Sequence, residues 1–240
     1  DTENVGRNPA VSEQFEPGSV FKILTMAAAL ESRVFSRHST YFDTGKFEYG
    51  GIVVQNWDYK AHEIQDMTGL LAHSLNVGAA TLSTTLGPQR YYDLLTAFGI
   101  GRLTHVDIAG EATGLLKRPG DPDWHDADLA TNAFGQGVAV TGLQLLTADS
   151  AVANGGVIMQ PHLLREIREG DMVYTVQPQV LGRPISEDVA LTLAEMLATS
   201  LESESSLALV DGYRLAGKTG TAQIPTVSYT HLTLPTKREE

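Results

Sequence analysis

The stretch Phe15-Glu16-Pro17-Gly18-Ser19-Val20-Phe21-Lys22-Ile23-Leu24-Thr25-Met26-Ala27-Ala28-Ala29-Leu30 passes from a backbone breaker straight into an apolar run. Pro17-Gly18 ends the polar segment before it. From Ser19 the chain is rich in Ala and Leu and predicts a buried helix over 19–30. Ser19 stands at the start of that helix, where unpaired N–H groups and a partial positive charge stabilise a developing alkoxide or oxyanion. Lys22 follows one turn on, along the same face. A serine hydroxyl needs a base beside it to become a nucleophile. A lysine amine can be that base only if burial or neighbouring cations lower its pKa, and Phe21, Ile23 and Leu24 supply apolar surroundings. S-x-x-K arises by chance about once in a chain of this length. Taken alone, the pattern reads more plainly as an N-cap serine and a surface lysine.

Outward from this helix, the glycines at 45, 50 and 51 predict loop and short strands over 36–60. Apolar positions at Ile64, Met67, Leu70, Leu71 and Leu75 predict a helix over 64–75. A second helix is predicted over 77–86 and a third over 89–98, separated by Gly87-Pro88. Residues 109–140 are rich in Gly, Pro and Asp and read mostly as loop. A helix is predicted over 141–153, with Asn154-Gly155-Gly156 as its stop. A hairpin is predicted over 163–176, broken at Glu169-Gly170-Asp171. Ser186 caps a predicted helix through Leu201, with Glu187 and Asp188 in its first turn. Residues 213–224 read as a strand. Helices first and strands late predict an α/β or α+β domain with a helical subdomain and an antiparallel sheet, rather than alternating βαβ units.

Two further patterns follow in order. Ser74-Leu75-Asn76 falls between two predicted helices, where its side chains can face a cleft. A second hydroxyl can relay a proton to a leaving amine, and an Asn amide can hold both a Lys amine and a substrate carbonyl; a helix–helix turn using Ser and Asn as caps is the plainer reading in isolation. Lys218-Thr219-Gly220-Thr221 lies on the predicted strand. Gly220 leaves backbone uncovered for a substrate to lie alongside. An N–H here can complete an oxyanion hole, and Lys218 and Thr219 can hold a carboxylate. The alternative is a Gly bulge beside an exposed lysine. K-T-G arises by chance in about one such chain in twenty.

In this order the three patterns resemble the S-x-x-K, S-x-N and K-T-G motifs of penicillin-binding proteins and serine β-lactamases. The flanks of 15–23, Ser74-Leu75-Asn76-Val77-Gly78, residues 133–141 with Leu143-Gln144 and 153–156, and residues 216–223 resemble class B penicillin-binding proteins, the division and elongation transpeptidases. The resemblance implies the fold of that family, with Ser19 acylated and Lys22 its general base. It implies that Ser74 and Asn76 assist proton transfer and amide placement, and that Lys218 and Thr219 bind the substrate's terminal carboxylate beside Gly220. The N–H groups of Ser19 and Thr221 would form the oxyanion hole. Peptidoglycan stem peptides ending in D-alanyl-D-alanine are the implied substrates, β-lactam antibiotics the implied covalent inhibitors, and other cell-wall synthesis proteins the implied partners. No metal or organic cofactor is expected. The implied location is outside the cytoplasm, on a membrane anchor absent from this sequence. Gly142 stands where the family usually has Pro, a minor change at a helix start. Residues 1–225 are expected to be the transpeptidase domain, truncated at both ends. Residues 226–240 lack the resemblance and are expected to be a non-native or disordered tail.

The 240 residues suffice for one large domain, and 42% hydrophobic with 19% charged residues is ordinary for a globular core. A net charge of -12 argues against nucleic acid and against an electrostatic dock on an anionic membrane. Without cysteine, a Cys nucleophile, a disulfide framework and Cys-ligated zinc are excluded. No apolar run is long enough for a transmembrane helix. The seven histidines are scattered without H-E-x-x-H. His73 points about 100° away from Ser74 if both are helical and is set aside as its base. The acidic run 121–128 lacks the glycine and glutamate of a calcium loop. Trp57 and Trp124 read as ordinary packing or as cleft lining. A class A β-lactamase would need a glutamate-supported water, for which no motif is visible. Class D enzymes and the sensor domains resembling them usually carry an apolar residue where Asn76 stands. A D,D-carboxypeptidase and an inactive fragment remain as alternatives.

Overall fold

The computed structural model describes residues 7–204 and 208–220. Asn8 caps α1 (Pro9–Ser12) through its Oδ1, and β1 (Gln14–Phe15) leads to the Pro17 turn. The chain then makes one 3-10 turn, Gly18–Phe21, and passes without a break into α2 (Lys22–Glu31). The helix expected from Ser19 therefore begins as a tighter coil. Residues three apart eclipse one another in that coil, which sets Lys22 over Ser19. Every residue of α2 from Lys22 to Leu30 is buried, the polar Lys22 and Thr25 included.

Four short strands follow: β2 (Thr40–Asp43), β3 (Lys46–Tyr49), β4 (Ile52–Gln55) and β5 (Glu63–Asp66). β3 and β4 form a hairpin, while β5 pairs antiparallel with β2 from Thr40↔Asp66 to Asp43↔Glu63. The single helix expected over 64–75 is thus a strand followed by a shorter helix, α3 (Met67–Ala72). The strand's partner lies far upstream, where helical periodicity cannot register it. Asp66 marks the change, its Oδ1 accepting from Gly69 N at 2.7 Å. Helices α4 (Asn76–Leu86) and α5 (Pro88–Ala97) meet at Gly87, as expected.

Within the segment read mostly as loop lies α6 (Asp126–Asn132), closed by a capping box between His125 and Asp128. Composition hid this helix, because its acidic residues serve as first-turn charges rather than as turn formers. β6 (Val140–Thr141) pairs with β1, and Thr141 caps α7 (Gly142–Ala153) through its hydroxyl. β7 (Ile158–Met159) pairs with β10 (Val180–Gly182), and β8 (Glu166–Glu169) with β9 (Met172–Thr175) makes the expected hairpin. Ser186 Oγ accepts from Val189 N at the start of α8 (Glu187–Glu204), which runs a turn beyond the expected end.

Helices α4, α5, α7 and α8 all pack on α2, and α3 lies along α8. The fold is mixed α/β with antiparallel pairing throughout, as expected, but the described strands form five separate two-stranded ladders. The strand predicted over 213–224 is not formed over 213–220, its described part. A strand exists only by laddering with a neighbour, and none of the described strands pairs with this segment.

Candidate active site

Ser19 is positioned by backbone packed on backbone. Gly18 N donates to Gly135 O at 3.1 Å, and Glu16 Oε1 accepts from Gly137 N at 2.9 Å. Gly18 and Gly135 have φ of 59° and 77°, the left-handed region that glycine occupies without penalty. A methyl group on Gly135 would overlap the Gly18 carbonyl. As the second residue of the 3-10 turn, Ser19 has a backbone N–H with no acceptor within its own coil.

Lys22 is 1% exposed. Its Nζ lies 2.6 Å from Ser74 O, 2.8 Å from Asn76 Oδ1, and 3.1 Å from both Ser19 Oγ and Ser74 Oγ. Burial first, and the positive charge of Lys218 second, push its pKa well below that of a free lysine. A neutral amine has two hydrogens and one lone pair. Ser74 O and Asn76 Oδ1 can only accept, so they take the two hydrogens. The lone pair is left facing the hydroxyls of Ser19 and Ser74, which is the arrangement of a base ready to take a proton.

The middle motif is held from below. Ser74 has φ of 56°, a strained value for a residue with a side chain. The turn is closed by Leu75 N donating to Leu70 O and by the complete burial of Leu75. Asn76 Nδ2 donates to Gln55 O at 2.9 Å, which orients Oδ1 toward Lys22. Asn56, 1% exposed, accepts from Val77 N and donates to Asp43 and to Lys60 O. Sequence reading missed Asp43, Gln55 and Asn56. No spacing connects them to Asn76; the β3–β4 hairpin carries Gln55 and leads into Asn56, and Asp43 at the end of β2 accepts from Asn56 Nδ2.

The third motif joins from the other side of the nucleophile turn. A Cβ on Gly220 would sit 2.5 Å from Val20 Cγ2, so the 216–220 segment runs against the Ser19 turn. Lys218 Nζ donates to Thr219 O at 3.1 Å and Thr219 Oγ1 at 3.2 Å. Burial lowers the Lys218 pKa to about 8. Thr221 lies outside the described residues, as does the tail 226–240. Of the other expected site residues, Ser19, Ser74, Asn76 and Thr219 line one cleft of about 590 Å³ together with Trp57, Phe134 and Gln136, and Lys22 lies beneath, bonded to three of them. His73 also lines it but turns to Glu204, and its Nδ1 is 3.4 Å from Glu204 Oε1. Trp124 instead packs inward and donates to Tyr92 OH. Among the described residues, no helix is long and apolar enough to cross a membrane.

A sequence profile of the penicillin binding protein transpeptidase domain matches residues 2–232. Penicillin-binding protein PbpB of Mycolicibacterium smegmatis is 35% identical over 226 residues, covering 90% of this chain and 34% of the relative. The peptidoglycan D,D-transpeptidase FtsI of Escherichia coli is 30% identical over 220 residues, covering 90% of this chain and 35% of the relative. Penicillin binding protein 3 of Mycobacterium tuberculosis, solved free and with aztreonam, has a TM-score of 0.81 at 34% identity, covering 90% of this chain and 50% of that one. The chain thus spans about a third of the length of these curated relatives.

Proposed function

We propose a function on one premise: this chain belongs to the penicillin-binding protein transpeptidase family. It carries the D,D-transpeptidase chemistry of peptidoglycan cross-linking, with Ser19 as the acylated nucleophile. The observation that carries this reading is the buried Lys22 amine, 3.1 Å from Ser19 Oγ and also bound to the two acceptors Ser74 O and Asn76 Oδ1.

In the proposed acylation, Ser19 Oγ attacks the carbonyl between the two D-alanines and Lys22 takes its proton. The developing oxyanion is met by the Ser19 N–H and, from outside the described residues, the Thr221 N–H. Ser74 Oγ, 3.1 Å from Lys22 Nζ, passes the proton to the departing amine. The donor's terminal carboxylate lies against Lys218 and Thr219, with its backbone along Gly220. β-Lactams follow the same path and stop at the acyl-enzyme. The reaction takes place outside the cytoplasm, where the stem peptides are.

Labelling with a fluorescent penicillin, followed by peptide mass mapping, tests this. The adduct is expected on Ser19, absent in Ser19→Ala, and slowly released, as a transpeptidase rather than a β-lactamase requires. An adduct elsewhere, or labelling that survives Ser19→Ala, refutes the assignment.

A further inference from the structure

The acylation chemistry occupies the floor of the cleft and leaves its rim on the Ser74 side unused. There His62 and His73 stack with ring centroids 5.4 Å apart and planes 28° from parallel. Each imidazole faces a carboxylate: His62 Nε2 is 2.9 Å from Asp58 Oδ2, and His73 Nδ1 is 3.4 Å from Glu204 Oε1. Trp57 Nε1 donates to His73 O at 2.9 Å, which fixes an indole ring that is still 64% exposed. Tyr59 beside it is 72% exposed, on a backbone with φ of 59°. Trp57, Tyr59, His62, His73 and Glu204 line the same cleft as Ser19 and Ser74.

The rim and the floor differ in charge. Under the floor lies the Lys22 amine, bonded to Ser19, Ser74 and Asn76, and Lys218 adjoins the lining residue Thr219; both charges suit a donor that ends in a carboxylate. The rim carries the Glu204 carboxylate, with Asp58 behind His62, and two exposed aromatic faces, and these features attract a cation. A donor carboxylate would be repelled there. An acceptor amine, which arrives as an ammonium at neutral pH, would be drawn in.

We propose that this rim is the acceptor subsite, where the incoming ammonium is held before the amine attacks the acyl group on Ser19. The proposal rests on the transpeptidase reading above. In the transfer, the ammonium gives one proton to the imidazole pair. The freed nitrogen forms the new C–N bond and passes a second proton to Lys22. Lys22 returns that proton to Ser19 Oγ as the C–Oγ bond breaks, and the third hydrogen stays on the new amide.

The test loads Ser19 from a D-alanyl thioester and follows partition of the acyl-enzyme between hydrolysis and aminolysis. D-alaninamide serves as the cationic acceptor, and hydroxylamine as one that is neutral near pH 7. Glu204→Gln and Asp58→Asn are each expected to raise the half-saturating D-alaninamide concentration about two- to fivefold, the scale of a part-exposed charge contact. Maximal amide yield, partition with hydroxylamine and penicillin labelling of Ser19 should all stay as in the parent. Half-saturation unchanged in both variants, or an equal effect on hydroxylamine, overturns the subsite while leaving the transpeptidase reading intact. A parent chain that penicillin does not label overturns that reading, and the subsite falls with it.

Discussion

Replacing Lys218 with Arg separates its charge from its titration. Burial holds the Lys218 pKa at about 8, so the positive charge offered to a substrate carboxylate is lost as pH rises through that value. Lys22 behaves in the opposite sense, since it becomes a base only after losing its proton, and its own pKa is pushed well below the ordinary lysine value. The second-order rate of acylation by a penicillin should therefore be bell-shaped. This rate constant reports the free protein, so its limbs belong to the unliganded groups. One pH unit above Lys218's pKa, about a tenth of the protein still carries the charge, and acylation at pH 9 should fall to about a tenth of the plateau. Guanidinium does not titrate in this range. Lys218→Arg is then expected to keep its rate flat through pH 9, whatever its plateau height. The acid limb should not move, because the cation near Lys22 is retained. Lys218→Gln should instead shift that limb to higher pH, since removing a like charge raises the Lys22 pKa. The assay is stopped-flow or gel-based labelling from pH 5 to 10. A penicillin esterified at its carboxylate serves as a control that should show no alkaline limb near 8. Persistence of the alkaline limb in Lys218→Arg would refute the role assigned to Lys218.

Two further outcomes follow from backbone fit and from burial. Gly135→Ala puts a methyl group into the Gly18 carbonyl at a position of φ 77°; displacing the nucleophile turn by about 1 Å should lower the acylation rate about 100-fold, measured per folded molecule by circular dichroism and labelling together, and an unchanged rate would refute the backbone account. Asp149, in α7, is pushed up to about 7 by burial, and its Oδ1 has no hydrogen-bond partner among the described residues. The folded state therefore keeps a proton that the unfolded chain releases near pH 4, so stability falls as pH rises from about 4 to 7, by on the order of 4 kcal/mol. Asp149→Asn should be more stable than the parent at pH 8, with the advantage shrinking toward pH 5; urea denaturation at both values checks this, and a pH-independent difference would contradict it.

Much of the site was legible in the sequence because its motifs are short and its helices are apolar. The Ala- and Leu-rich course of α2 announced a central helix, and Pro17-Gly18 announced where it starts. Ser19, Lys22, Ser74 and Asn76 were named from type and spacing, and the structure joins them by hydrogen bonds at one cleft, with Thr219, the neighbour of Lys218, also in its lining. Three readings failed, each for its own physical reason. Residues 64–66 follow a helical period, yet β2 captures them as β5. The acidic loop hides α6, because a capping box uses the residues that composition assigns to turns. Residues 213–220 have strand composition and no laddered neighbour among the described strands.

The sequence by itself determined the chemistry that one helical turn can hold: a serine, a lysine three residues later, and apolar surroundings that deprive that lysine of solvent. Only the tertiary structure decided which partners surround the lysine's amine. Ser74 O, Asn76 Oδ1 and, behind them, Gln55 O and Asn56 converge from segments up to 54 residues away from Lys22. It alone also placed the His62–His73 stack at the cleft's rim. Hydrogen-bond direction depends on groups within about 3 Å in space, and their distance along the chain leaves no periodicity to read.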